Sequence, residues 1–428
     1  MLRLNKDALS WALYDCANSA FVLTVIAGFF GPFYHDYWSG GSEEAFFWQG
    51  ITVSMASLIV ALIAPFLGAL ADQAHLKKRF LCVFMLIGAI STAGFYLTGR
   101  GNWQLASIIY ILGFIGFAAG NIFYDSLLLR VSDENNRHLV SGFGFALGYG
   151  GSVILFIANI ILVSNPLLLG LEDKASAIKI SFLSVSAWWI LFSIPLLIGV
   201  KEIRGVPRLG IRKTIRKGFV NLRTLFKEIV RQPHVIWFLI AYWLYIDGVN
   251  TLITMATGFG SSLGFSLQDL MVTLIIVQIV GVPASLIFCW LGQHFGAKKI
   301  ILTGIIIYLG VTTYAARLSL EPVQVLGIAI SEIHVLGFLV GSVQGGVQSL
   351  SRSFFANIIP SDRAAAYFGC YNMIGKFAAL LGPVLMGTVA RFSGEPRLGA
   401  LAVAILFLLG GVCLLKVSPQ ITAIANDP

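Results

Sequence analysis

The sequence predicts an all-α polytopic membrane protein, with twelve transmembrane helices in two pseudo-symmetric six-helix bundles. Three observations carry this expectation. Of the 428 residues, 57% are hydrophobic and only 11% charged, with a mean hydropathy of +0.85, whereas a soluble domain carries roughly 25% charged residues. A bilayer core takes about 20 apolar residues per helical span, and twelve such runs fit along the chain. The last six runs also echo the first six.

In order, the runs are 9–36, 46–71, 80–98, 103–129, 139–163, 177–200, 235–258, 267–291, 299–317, 332–352, 365–390 and 398–416. The first is longer than a leader's apolar core, contains Asp15 and lacks a small-residue cleavage pattern, so it is expected to remain as a mature span. Cys16, Cys82, Cys289, Cys370 and Cys413 all fall inside runs without paired spacing. Neither disulfides nor a metal site is expected from them. Lys and Arg accumulate in cytoplasmic loops, and placing the N-terminus inside puts most of the 29 basic residues on inner segments. Both termini are therefore expected to be cytoplasmic, in a bacterial inner membrane.

Three regions follow: a six-helix bundle over 1–200, a cytoplasmic linker over 201–233 and a second bundle over 234–428. The linker holds ten basic and two acidic residues, a local +8 against +9 for the whole chain. Ile211, Ile215, Phe219, Leu222, Phe226 and Ile229 recur at helical spacing with Arg and Lys opposite, as in a helix lying on anionic headgroups. A soluble linker whose charge only sets topology is the plainer alternative. Nucleic acid is not expected as a partner, because no reading motif or aromatic platform accompanies the charge.

The halves share three features in the same order. Asp15-x-x-Asn18 of span one matches Asp247-x-x-Asn250 of span seven, each after a tyrosine. "GALADQAHLKKR" after span two matches "LGQHFGAKK" after span eight, and Gly142 with Gly148 in span five matches Gly369 with Gly375 in span eleven. Such repeats mark duplicated transporter units.

"GALADQAHLKKR", with Asp72 followed by Lys77, Lys78 and Arg79, is similar to the loop motif between spans two and three of the major facilitator superfamily. It departs at His75-Leu76, where Gly-Arg is usual. "SWALYDCANSAF", "GNIFYDSLLL", "GGVQSLSRSFFANIIP" and "GKFAALLGPVL" resemble signature stretches of its vacuole-effluxer-like branch, which includes the autophagy-associated amino-acid effluxers of fungi. The likeness runs from the first span to the twelfth, although 318–331 is longer than the family pattern. It implies a twelve-helix transporter in which spans one, four, seven and ten line a central cavity.

Ionisable groups at bilayer depth usually face a bundle interior or water-filled cavity. At about 1.5 Å per helical residue, Asp15 lies roughly 8 Å from the inner end, Asn18 roughly 12 Å, Lys376 roughly 17 Å and Asp247 roughly 18 Å. Lys376 is too deep to reach headgroups and needs a carboxylate or a cavity. It therefore serves either a substrate anion or a bridge between bundles, and Asn372 lies one turn before it. Gln344, Gln348 and Arg352 share a face of span ten, as do Asn121 and Asp125 on span four. The substrate-binding candidates are Asp15, Asn18, Asn121, Asp247, Asn250, Gln344, Gln348, Asn372 and Lys376; helix-bridging amides are the alternative.

Burial can raise an unpaired carboxylate's pKa, which makes Asp15 and Asp247 the proton-coupling candidates. The gate or conformational set is Asp72, Lys77, Lys78, Arg79, Asp125, Arg130 and Arg352, with Arg130 and Arg352 expected at inner ends. Glu332 and His334 read as a solvated outer mouth. Gly31-Pro32, Pro65, Gly281, Pro283, Gly382-Pro383 and the glycines of span five read equally as packing sites or hinges.

The expected function is secondary transport of a small polar metabolite, best matched by a zwitterionic amino acid, with an aspartate taking the amine and Lys376 the carboxylate. Export of another organic ion or drug, and a non-transporting sensor or scaffold, are the alternatives. No enzyme activity, catalytic residue, cofactor or metal is expected, and the chain is expected to act as a monomer.

Overall fold

A computed structural model describes residues 5–41, 44–74, 76–201, 224–325, 327–378 and 381–417. Twelve helical spans result: Lys6–Trp38, Phe47–Asp72, Lys77–Leu97, Trp103–Val131, Arg137–Ser164, Lys174–Gly199, Pro233–Ala256, Gln268–Phe295, Ala297–Ala315, Glu332–Ile358, Ser361–Ser393 and Pro396–Leu415. Each overlaps the run expected for it. Of the linker's apolar stripe, Phe226 and Ile229 lie in a helical stretch over 224–231; Ile211, Ile215, Phe219 and Leu222 lie outside the described residues.

Three features depart from uniform α-helix. Span one widens into π-helix over Phe21–Phe29 and Tyr34–Trp38, with Gly31-Pro32 in the α-turn between. Single-turn π-bulges often mark functional sites. The long segment before span ten folds as a hairpin of β1 (Val323–Val325) and β2 (Ile328–Ile330), with Val323 opposite Ile330 and Gly327 at φ 81°. Span eleven is described as two helices, Ala364–Phe377 and Leu381–Ser393, with 379 and 380 between them outside the described residues. Pro383 is the third residue of the second, where its missing N–H is tolerated.

The chain forms two compact units, one from described residues of 1–132, 147–222 and 362–373, the other from 133–146, 223–361 and 374–428. Within the first, span one packs on spans four and six, and span three on spans four and six. Within the second, span seven packs on ten and twelve, and span nine on ten and twelve. Each neighbour pair recurs six spans later, the packing trace of a duplicated unit. Two segments belong to the opposite unit from their half of the sequence: the start of span five packs in the second, and the start of span eleven in the first.

Large apolar side chains on the outer faces, such as Leu62, Ile90, Ile154 and Ile306, are exposed, as expected where lipid replaces water. The interior holds Trp11, Trp38, Trp189, Tyr110 and Tyr308, fully buried. Glycines allow the closest approaches. A Cβ at Gly148 would meet Ser19 Oγ at 2.7 Å, and one at Gly369 would meet the Ala64 carbonyl oxygen at 2.6 Å. Both positions are therefore packing sites between helices.

Candidate functional site

In the first unit, spans one and four carry a polar ladder. Asn18 donates from Nδ2 to Asn121 Oδ1 at 2.7 Å. One turn along span four, Asp125 accepts from Asn372 Nδ2 at 3.1 Å, and that amide also reaches the Phe368 carbonyl at 3.0 Å. Asp15, one turn before Asn18, is buried, as is Asp125. Aromatic rings wall this ladder: Trp11 stacks on Tyr124 at 4.4 Å and donates from Nε1 to the Tyr124 carbonyl at 2.8 Å. Expected residues of spans one, four and eleven thus meet here.

The gate set divides. Asp72 pairs with Lys77 at 2.8 Å, and its oxygens accept from Ala365 N at 3.2 Å and Ala366 N at 2.7 Å. These are first-turn N–H groups of span eleven, left without partners by helix geometry, and a carboxylate there meets the positive helix end. Lys78 donates to the Val200 carbonyl at 2.7 Å and Arg130 to the Lys201 carbonyl at 3.4 Å, so both tie down the end of span six. Arg79 is exposed.

In the second unit, Asp247 is fully buried. Its carboxylate accepts from Leu381 N at 3.2 Å and Gly382 N at 2.9 Å, with Thr251 Oγ1 at 3.4 Å. Asp247 therefore meets the first two N–H groups of the second helix of span eleven, and Pro383 has none to offer. Asn250 and Gln348 are half-buried and Gln344 is buried. Lys376 lies half-buried near the end of the first helix of span eleven. Around it in sequence, Ile374, Phe377 and Leu381 line, with Trp243, an apolar cavity of about 350 Å³. Trp243, Asp247 and Asn250 follow helical spacing on span seven.

Arg352 departs from expectation. Span ten runs on to Ile358, so Arg352 sits about 9 Å inside its end rather than at it. Its Nε donates to Ser141 Oγ and its Nη2 to the Ser141 carbonyl, both at 3.0 Å, and its guanidinium lies 4.5 Å from the Phe145 ring centre. Ending span ten at 352 also hid the contacts of Arg137, His138, Ser353 and Asn357. The signal was present in Ser349, Ser353 and Asn357, spaced by four. At the other end of span ten, Glu332 accepts from Ser319 N at 2.6 Å, and His334 lies 3.7 Å from Asp269.

The duplication also appears in side-chain geometry. Lys78 caps span six, and Lys298, at the equivalent place before span nine, donates to the Leu415 and Val417 carbonyls at 2.9 and 2.6 Å at the end of span twelve. Among the described residues, no group of three or more His, Cys, Asp or Glu is placed to hold a metal ion.

Residues 48–421 match the family described as vacuole effluxer Atg22 like. The chain is 36% identical to YxiO, an MFS-type transporter of Bacillus subtilis, over 97% of this chain and 95% of that one. It is 24% identical to autophagy-related protein 22 of Coccidioides immitis, over 86% of this chain and 72% of the other. Among solved structures, the human organic anion transporter MFSD10 aligns with a TM-score of 0.71 at 14% identity, covering 96% and 99% of the two chains. The fucose transporter FucP aligns at 0.70 and 13% identity, covering 97% and 99%. At these identities the structures share the fold.

Proposed function

Because the chain belongs to the vacuole effluxer Atg22 like family, a branch of the major facilitator transporters, we propose that it moves a zwitterionic amino acid across a bacterial inner membrane by alternating access. The observation that carries this reading is the polar ladder of Asp15, Asn18, Asn121, Asp125 and Asn372 inside apolar spans, with Asp15, Asn18 and Asp125 buried. Buried charges of this type face a cavity or one another, and carboxylate and amide oxygens suit an ammonium group. Lys376, deep in span eleven, has the charge for a carboxylate. Asp247 already spends both oxygens on span eleven, so Asp15 is assigned the amine or the coupled proton.

Two further parts belong to this reading. Both termini face the cytoplasm, from the distribution of Lys and Arg, and the basic linker rests on anionic lipid. The two bundles of 1–200 and 234–428 are the moving parts, which the recurring neighbour pairs support.

The test is a thermal-shift screen of amino acids, followed by uptake of the best binder into proteoliposomes. Lys376→Ala should abolish uptake while keeping the parental melting temperature, and Asp15→Asn should lose the response to an imposed pH gradient. Unchanged uptake in Lys376→Ala would overturn the site. The apolar cavity lined by Trp243, Ile374, Phe377 and Leu381, whose span-eleven members flank Lys376 in sequence, favours a second reading, an organic anion with a large apolar body. Binding of aryl carboxylates without any amino acid would select it.

A further inference from the structure

We propose that His138 is the proton-responsive residue of a latch joining the start of span five to the end of span ten, and that protonating its ring opens the latch. All the groups involved lie within the second compact unit. The inference does not rest on the identity of the substrate.

The charge state follows from donors and acceptors alone. Arg137 can only donate, and it donates from Nη1 to Asn357 Oδ1. This orients the amide so that Nδ2 faces His138 Nε2, at 3.4 Å. An amide nitrogen also only donates, so Nε2 must present a lone pair. The ring proton is then on Nδ1, which lies 2.7 Å from Ser353 Oγ. Ser353 Oγ in turn donates to the Ser349 carbonyl at 2.9 Å, which frees its oxygen to accept. Each hydrogen bond of the chain Arg137 Nη1, Asn357, His138, Ser353 and the Ser349 carbonyl has one donor and one acceptor while the ring is neutral.

A second strand runs beside it. Ser141 shares a face with His138, donates to the Ser349 carbonyl at 2.8 Å and accepts from Arg352. Most of the latch is buried: Arg137 and His138 are 8% and 7% exposed, Ser141, Ser349 and Ser353 are fully buried, and Asn357 is half-buried. Protonating His138 would turn Nε2 into a donor facing a donor. It would also place a positive ring with Arg137 on its own element and Arg352 on span ten.

The carboxylates before span five, Asp133 and Glu134, act on Arg137. Asp133 accepts from the N–H groups of Asn135 and Asn136 at 2.9 and 3.0 Å, and Glu134 is exposed. From span eight, the facing titratable group is Cys289, whose Sγ is 3.1 Å from Ser349 Oγ. Spans five and ten come from opposite halves of the sequence, and rocking of one repeat against another separates such pairs. His138 is thus a positioning residue through which a proton gates the transport cycle.

Cys289 supplies a reporter. A Cβ at Gly142 would lie 2.7 Å from its Sγ, so span five covers the thiol while the latch is closed. In protein whose other four cysteines are serine, Cys289 is alkylated with a small permeant maleimide at pH 7.5 and pH 5. Each rate is divided into that of the denatured protein at the same pH. Protection should fall roughly tenfold at pH 5 in the parent, on the scale of one buried hydrogen bond. It should be independent of pH in His138→Gln, which keeps a neutral donor and acceptor. It should also be independent of pH in Asn357→Asp, whose carboxylate accepts from both Arg137 and a protonated ring. Flat protection in the parent, or a parental pH response in either variant, overturns the proposal, and Asn357→Asp decides if His138→Gln does not fold. No substrate is needed, so this outcome is separate from the uptake test.

Discussion

Replacing Asp247 separates a structural cap from a transport group. Its carboxylate accepts from Leu381 N and Gly382 N in a setting where the side chain has no exposed surface. Alanine leaves two buried N–H groups unmet, at about 1–3 kcal/mol each, and removes a negative charge from a helix N-terminus, about 1 kcal/mol more. The sum is roughly 3–7 kcal/mol. Asparagine keeps one acceptor oxygen and should lose about half as much. At about 2–4 °C per kcal/mol, the alanine variant should melt at least about 6 °C below the parent in detergent, with asparagine between. The ordering parent, asparagine, alanine is the signature of capping, because a group acting only through its titration would lose transport equally in both variants without this gradation of stability. An alanine variant that melts within about 1 °C of the parent would refute the reasoning.

The remaining predictions concern ends and surfaces. Changing Arg212, Lys213, Arg216 and Lys217 together to Gln should weaken pelleting of the linker-facing leaflet's anionic lipid in nanodisc exchange and leave zwitterionic lipid unaffected; equal lipid selectivity would count against the membrane-surface reading. Asp173 caps span six through Ser176 N at 2.7 Å, and that bond holds its carboxyl below the usual value. The cap is therefore intact above the ordinary carboxylate range and is lost as pH falls through the lowered value, which hydrogen exchange at Ser176 should follow and Asp173→Ala should abolish. Lys78→Ala and Lys298→Ala should each cost about 1.5–3 kcal/mol of stability, the scale of a charged hydrogen bond, read as a lower melting temperature, with Arg restoring part. A large effect from one and none from the other would argue that the two sites are not equivalent.

Spans were legible because lipid imposes a length and an apolar composition that survive any packing detail. Their ends were less so. Span ten continues past Arg352 because Ser353, Asn357 and their neighbours are satisfied inside the protein, and side-chain polarity alone reads as a surface. The break in span eleven was marked only by Gly382-Pro383, a pair equally compatible with a kink. What stabilises that break is Asp247, 135 residues away, and no local pattern contains such a partner. Asn18 with Asn121 and Asp125 with Asn372 were each foreseen as polar faces; the pairing itself depends on which helices touch.

The duplicated frame sharpens what the paired aspartates mean. Asp15-x-x-Asn18 and Asp247-x-x-Asn250 occupy equivalent turns of spans one and seven, and their neighbours pack alike in the two units. Their surroundings have diverged. Span eleven is split where Asp247 can reach its second helix, whereas span five, its counterpart, runs unbroken over Arg137–Ser164. An unbroken helix presents no first-turn N–H groups at that depth. Gly148 instead brings the span-five backbone against the Asp15 turn, 3.3 Å from its carbonyl for an added Cβ. The same carboxylate, inherited twice, therefore meets a helix end in one unit and a helix side in the other. On this difference we propose the transport role for Asp15 and the structural one for Asp247.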